Sequence, residues 1–321
     1  MLLSSTKDEL DVTEAPELEI EAREKHYRQR YIPKHVILFL YVHLSGLYGL
    51  YLAFTAARWE TIGLTIVLNY ASIVGITAGA HRLWSHRAYK AKLPLQILLA
   101  AMTSLAFQFS TITWVRDHRA HHKFSDTDAD PHNSKKGLFF SHMGWLMMDK
   151  NPAIKRKAKG IDLSDVYNNP VLRFQHDNFI IVGGLACFVV PPLIPLLWGE
   201  SLWVAWHMNL ARYMFSLHPI FLINSAAHKW GNKPYDRSIA PSQNIGVSIA
   251  NLGEGFHNYH HTFPFDYRAA ELGNIFNPTT KFIDLFAWLG WAYDLKTASH
   301  DLVTNRAKRT GDGTLWNREC A

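Results

Sequence analysis

The sequence predicts an all-α integral membrane protein: four transmembrane helices with a cytosolic helical cap holding a histidine-rich di-metal site. Three observations carry this. Runs of roughly twenty residues, the length a spanning helix needs, contain no Asp, Glu, Lys or Arg. The loops on one side of them are long and basic. Nine of the eighteen histidines fall in four short clusters, three of which follow directly on an apolar run.

Taken in order, residues 1–33 are polar and rich in acids (Asp8, Glu9, Asp11, Glu14, Glu17, Glu19, Glu21, Glu24), which predicts a disordered cytosolic tail and no cleavable leader. Residues 34–300 form the main domain, and 301–321 a C-terminal tail. The uncharged runs at 36–57, 61–80 and 179–198 each predict a transmembrane helix. A fourth, 202–226, is apolar except for His207, Arg212 and His218, which are expected to face the bundle interior or an interface rather than lipid. Short turns at Arg58-Trp59-Glu60 and Gly199-Glu200 make two hairpins. The basic loops on the other side are cytosolic by the positive-inside rule, and so are both termini. A fifth run, 93–115, is long enough to span. If it did, the histidines at 81 and 86 would lie across the bilayer from those at 118–122, so we read it as an interfacial helix with Pro94 near its start.

The composition excludes other classes. The net charge of +6 comes from residues flanking apolar runs, a membrane-loop distribution rather than a nucleic-acid footprint. Two cysteines, Cys187 and Cys320, give neither a disulfide framework nor a C-x-x-C pair, and fit a reducing, cytosol-facing compartment.

The clusters are His81 and His86 (HRLWSH), His118, His121 and His122 (HRAHH), His228 (NSAAH), and His257, His260 and His261 (HNYHH). On a helix, residues i, i+3 and i+4 share a face, so each H-x-x-H-H string offers three imidazoles to one volume. His81 and His86 are about 140° apart on an α-helix and need a turn or helix end to converge. Nine imidazoles exceed what one metal takes, and zinc would leave about five unexplained. Iron accepts imidazole and performs dioxygen chemistry that zinc does not. Glu254-Gly-Phe-His257 matches the Glu-x-x-His string of soluble di-iron bundles, too little for a carboxylate-bridged site. His26, His35, His43, His176, His207 and His300 read as structural, and His218 as facing the bundle without being a ligand. His132 and His142 read equally as partners of ligands or as loop residues.

Three stretches, GAHRLWSHRAYKA (79–91), WVRDHRAHHKFSDTDADPHN (114–133), and NSAAHKWGNKPYD with NLGEGFHNYHHTFPFDYR (224–236 and 251–268), resemble the membrane-bound fatty acid desaturase family, and within it the acyl-CoA desaturases of the stearoyl-CoA, delta-9 type. The resemblance covers roughly residues 30–300. It implies an O2-dependent oxidoreductase of the endoplasmic reticulum membrane that puts a cis double bond into a saturated fatty acyl-CoA. Two iron ions (Fe2+) are implied, held by the nine histidines with Asn224 acting through a water. The implied electron donors are cytochrome b5 and its NADH-dependent reductase, since no nucleotide fingerprint or fused haem segment is present. Arg116, Asp117 and Lys150 match positions near the CoA headgroup. Lys135, Lys136, Lys155, Arg156, Lys157 and Lys159 are available to the donor or to CoA phosphates, the last four reading equally as a solvated, lipid-facing charge run. A desaturase of different regiochemistry, or a lipid hydroxylase on the same site, is the alternative. A metal transporter fits less well, because the clusters sit after the spans.

The chain departs from the family pattern at Phe109, Ser110, Thr111, Ile112 and Thr113, usually polar or acidic, at Asp149, where a base is expected beside Lys150, and at Pro219 and Phe221. Ile73 and Asn69 lie about 12 and 18 Å along an α-helix from His81. If that face ends an acyl tunnel, Ile73 favours sixteen carbons over eighteen.

Overall fold

Uncharged segments that cross a bilayer satisfy their backbone only as helices or closed barrels. The computed structural model, which describes residues 20, 24, 26–270 and 276–315, is accordingly mostly helical. Helix α1 (Pro33–Thr55) and helix α2 (Trp59–Ser85) form the first hairpin, and α2 is α-helical to Val74 and π-helical over Gly75–Ser85. Two further helices, α3 (Leu93–Ala106) and α4 (Thr111–Phe124), follow. The second hairpin is α5 (Phe179–Trp198) and α6 (Leu202–Asn224). Its turn is fastened to that of the first: Glu200 Oε2 accepts from the Arg58 amide at 2.9 Å and the Thr61 hydroxyl at 2.8 Å. Both turns therefore lie at one end of the bundle.

Helices α1, α2 and α5 are long and apolar enough to cross a membrane. Prolines 191, 192 and 195 remove backbone donors from α5, which becomes a relay of α, π and 3-10 turns. Helix α6 matches α1 at 23 residues and turns its polar groups inward. Arg212 is only 1% exposed and donates to Asn209, Ser72, the Leu105 carbonyl and Cys187. His207 and Asn209 are likewise buried.

The expected single helix over 93–115 is instead two helices meeting at 82°. Phe107 and Phe109 adopt left-handed φ of 48° and 66°, which ends α3, and Ser110 caps α4 by accepting from the Thr113 amide. The break lets α4 run back beside the end of α2. Packed around that end is the main core, with Val74, Ala78, Leu83 and Trp84 of α2, Leu95 and Leu99 of α3, Ile112 and Val115 of α4, and Ile283 of a later helix.

Beyond α6 the cap adds α7 (His257–Thr262), α8 (Pro278–Trp288) and α9 (His300–Thr310), and Lys90–Ala91 pairs antiparallel with Ala292–Tyr293. The ordered body extends past residue 300, where a tail was expected. Val303, Ala307 and Leu315 pack with Tyr235, Tyr259 and Phe263, and Arg306 pairs with Asp236. At the other end, the last part of the expected N-terminal tail is also held. Glu24 pairs with Arg156, and the Ile32 amide donates to the Met147 carbonyl at 2.8 Å. Residues 1–19, 21–23, 25, 271–275 and 316–321 lie outside the described set.

Candidate metal centre

The end of α2 solves the phase problem of its two histidines. The His86 amide donates to the His81 carbonyl at 3.1 Å, a five-residue closure, so the π turn brings the two imidazoles together with ring centroids 4.9 Å apart. Helix α4 presents His118 and His122, four apart, on one line and His121 beside it. A 3-10 turn, Ala226–His228, follows α6 and carries His228, and α7 supplies His257, His260 and His261.

These nine side chains assemble into two groups. In one, ligand atoms of His81, His86, His118, His122 and His260 lie within 4.8 Å of one another. In the other, those of His121, His228, His257 and His261 do the same. Both α4 and α7 divide their histidines between the groups, so the two positions adjoin.

The ring nitrogens discriminate between a hydrogen-bonded cluster and a metal site. His260 Nε2 lies 2.9 Å from His81 Nε2 and 3.0 Å from His122 Nε2, and His86 Nε2 lies 2.8 Å from His118 Nε2. His257 Nε2 faces His228 Nε2 at 3.1 Å and His261 Nε2 at 3.2 Å. A neutral imidazole has one N–H, so a nitrogen facing two others cannot satisfy both; shared coordination of an ion can. Burial, reinforced by neighbouring histidines, holds His86, His118, His122, His257, His260 and His261 well below the usual histidine range, keeping lone pairs available at neutral pH. His121 Nε2 is buried without a hydrogen-bond partner. The donor set fits two metal ions.

Three outward-facing nitrogens meet carboxylates. His81 Nδ1 is 3.1 Å from Glu254, His121 Nδ1 is 2.9 Å from Asp130, and His228 Nδ1 is 3.3 Å from Asp126. Such partners fix ring orientation and tautomer. Burial alone would raise Asp126 and Asp130. Contact with His228 and the Ser134 hydroxyl, and with His121 and His132 respectively, outweighs it and holds both well below the usual carboxylate range. Glu254 pairs in turn with Arg82 at 2.7 Å. Arg82 also donates to Thr280, Asn277 and the Tyr267 carbonyl. Asp126, Asp130 and Arg82 escaped the sequence reading, although the acids of SDTDAD directly after HRAHHKF were the available signal. His132 stands 3.3 Å from Asp130, as a partner of a ligand would. Asp130 already accepts from His121 and the amides of Asp126 and His132, so His121, Asp130 and His132 read as a support rather than a third metal position.

Other candidate residues fall as follows. Asn224 ends α6, half-buried, four positions before His228. Arg116, Asp117 and Lys150 form one cluster, Asp117 bridging Arg116 at 2.7 Å and Lys150 at 2.7 Å. Ile73 is buried on α2, and Asn69 Oδ1 is buried without a partner. The α-helical spacing that placed them from His81 does not hold beyond Gly75, where the π turn begins. His218 contacts His43 at 3.2 Å and His142 at 3.0 Å, and His142 reaches the Ser225 hydroxyl at 2.9 Å, a chain joining α1, α6 and the cap.

A helical, multi-pass membrane protein with two adjoining sets of buried and half-buried imidazoles able to hold metal is a multi-histidine membrane metalloprotein. Residues 57–276 match the fatty acid desaturase family model. The chain is 61% identical over 288 residues to the acyl-CoA Delta(11) desaturase of Spodoptera littoralis, covering 89% of this chain and 85% of that one. It is 57% identical to the (11Z)-hexadec-11-enoyl-CoA conjugase of Bombyx mori, covering 89% and 88%, and 51% identical to the acyl-CoA Delta-9 desaturase of Acheta domesticus, covering 97% and 88%. The chain belongs to the fatty acid desaturase family and is an acyl-CoA desaturase, an O2-dependent oxidoreductase. The delta-9 subtype expected from the sequence is not singled out, since the Delta(11) relative is the more similar of the two desaturases.

Proposed function

We propose that the chain inserts a cis double bond into a saturated fatty acyl-CoA, at carbon eleven by first reading and carbon nine by second. The convergence of nine Nε2-bearing rings into two adjoining groups carries the reading. His81, His86, His118, His122 and His260 would hold one iron ion (Fe2+), and His121, His228, His257 and His261, with Asn224 through a water, the other. Bound iron supplies the O2 activation that removing hydrogen from an unactivated methylene requires. Glu254, Asp126 and Asp130 orient the imidazoles. Identity of 61% to a Delta(11) desaturase against 51% to a Delta-9 one favours carbon eleven; the 97% coverage of this chain by the latter keeps carbon nine as the second reading.

The acyl-CoA implied by the relatives' names would bring its headgroup to Arg116, Asp117 and Lys150 and its chain towards Ile73 and Asn69. Electrons come from outside the chain. Cavities of about 430 and 500 Å³ open beside His86 and His261, edged by Arg87, Arg119 and Lys123 against Asp162 at one and by Arg306 and Arg309 against Asp236 at the other, so each rim keeps a positive excess. Basic rims of this kind suit an acidic one-electron carrier, which supports cytochrome b5 with its NADH-dependent reductase. The family resemblance supports an endoplasmic reticulum membrane location, and the positive-inside rule supports cytosolic termini.

Expression in a yeast strain lacking its own fatty acid desaturase, followed by mass spectrometry with double-bond localisation, tests this. New 11-cis chains support the first reading and 9-cis chains the second. A hydroxylated product would replace both with the hydroxylase alternative, and iron-loaded protein giving no oxidised acyl chain would reject the function.

A further inference from the structure

Asp149 is bound entirely by one short segment. Its amide donates to the Arg30 carbonyl at 3.0 Å, and its carbonyl accepts from Gln29 Nε2 at 2.6 Å. Its carboxylate accepts from the Arg30 amide at 2.7 Å and the Tyr27 hydroxyl at 2.7 Å. Tyr31 and Met148 form an isolated antiparallel bridge, and the Arg30 amide turns to the Asp149 carboxylate, so Arg30 lies directly against the residue that precedes Lys150, with Arg28 two positions further along the segment. Lys136 reaches Gln29 at 2.8 Å, and the Glu24 carboxylate clasps Arg156. Residues 27–31 are thus a strap laid along the edge that carries Lys150.

The adjoining cluster has charge to spare. Arg116 and Lys150 share the single carboxylate of Asp117, and their side chains are 38% and 39% exposed. Arg28 and Arg30 are exposed, and among the described residues neither has an ion pair. The strap and the cluster together carry four cations, Arg28, Arg30, Arg116 and Lys150, against two carboxylates, Asp117 and Asp149, a surplus of two positive charges. Asp149 would repel an anion, but two N–H or O–H donors from the strap already occupy its oxygens. A surplus of guanidinium and ammonium groups around a partly exposed rim suits phosphate oxygens.

We propose that the strap Tyr27–Tyr31 is a specificity-determining part of the substrate site, with Arg28 and Arg30 supplying phosphate contacts to the headgroup of the acyl carrier thioester. This rests on the acyl-CoA reading above. Asp149 is the strap's anchor, a positioning residue that fixes the segment carrying the two arginines at the neighbour of Lys150.

The test compares full-length wild type with the double variant R28A/R30A on two thioesters, hexadecanoyl-CoA and hexadecanoyl-pantetheine, the second lacking the entire phosphoadenosine diphosphate and so every phosphate. Two exposed ion pairs predict a rise in KM for the CoA ester of roughly tenfold with kcat held. KM for the pantetheine ester should not move, and the increase of the CoA KM with salt should become shallower. Tyr27→Phe, which loses one anchor bond, should shift the CoA KM in the same direction by less. An equal rise for both esters, or none for either, overturns the proposal. If wild type turns over neither ester, the desaturase reading fails instead, and the strap is decided by coenzyme A binding: weaker binding to R28A/R30A than to wild type sustains it, equal binding overturns it.

Discussion

Asp130 holds the outer nitrogen of His121 at 2.9 Å with a side chain that is wholly buried. The bond fixes which nitrogen His121 turns inward. Asp130→Asn keeps the shape but removes the charge, so metal affinity should fall by about 10- to 100-fold. Competition between the purified protein and a calibrated iron chelator measures this. Unchanged affinity would reduce Asp130 to a structural role.

Arg82 and Glu254 are an ion pair with both side chains almost fully buried. Removing one member strands the other's charge, so Arg82→Leu should cost about 3–5 kcal/mol. Replacing both with leucine should recover much of that stability while leaving His81 without its carboxylate. Thermal unfolding of the single and double variants, with iron content measured alongside, separates the effects. Recovery of stability without recovery of iron is the expected pattern.

Acid should destabilise the metal-free protein early. His132, pushed down to about 3 by burial and by His121, is neutral in the fold and protonates readily when unfolded. The folded value lies below the ordinary 6.5, so the unfolded chain binds more protons and stability is lost as pH falls below about 6.5. The buried ligand histidines act with the same sign. The unfolding midpoint of the metal-free protein should drop steadily from pH 7 to pH 5. A flat profile would contradict neutral burial.

Ile73 lies buried on α2 just before its π turn. If it limits the acyl tunnel, Ile73→Ala should raise the ratio of eighteen- to sixteen-carbon products by about tenfold, the scale of discrimination one or two methylenes allow. Competition between the two acyl-CoA substrates gives the ratio directly, and no change removes Ile73 from the tunnel end.

The spans and the histidine groups were legible because both are written in residue type. Charge-free runs announce helices, and H-x-x-H-H announces three imidazoles on one face. What stayed hidden depends on backbone detail. Nothing in GITAGAHRLWS marks the change from α to π winding that reconciles His81 with His86. The break at Phe107–Ser110 has no Gly or Pro to signal it, and rests on two phenylalanines in left-handed conformation. The strap on Asp149 and the packing of α9 join residues more than a hundred and about seventy positions apart, too far for any local pattern. The carboxylate partners lay in plain view, but which acid meets which imidazole is a tertiary fact.

The nine histidines come from segments running from residue 81 to residue 261 of a 321-residue chain. During synthesis the first hairpin can enter the bilayer while His257, His260 and His261 are still unmade. Neither set of imidazoles is complete until the HNYHH string emerges, after both hairpins. Loading with metal is therefore a late step of maturation. A chain truncated before residue 257 should still reach the membrane while keeping four imidazoles of one set and two of the other, too few to hold two ions, so insertion and full metallation are separable stages in this protein's birth.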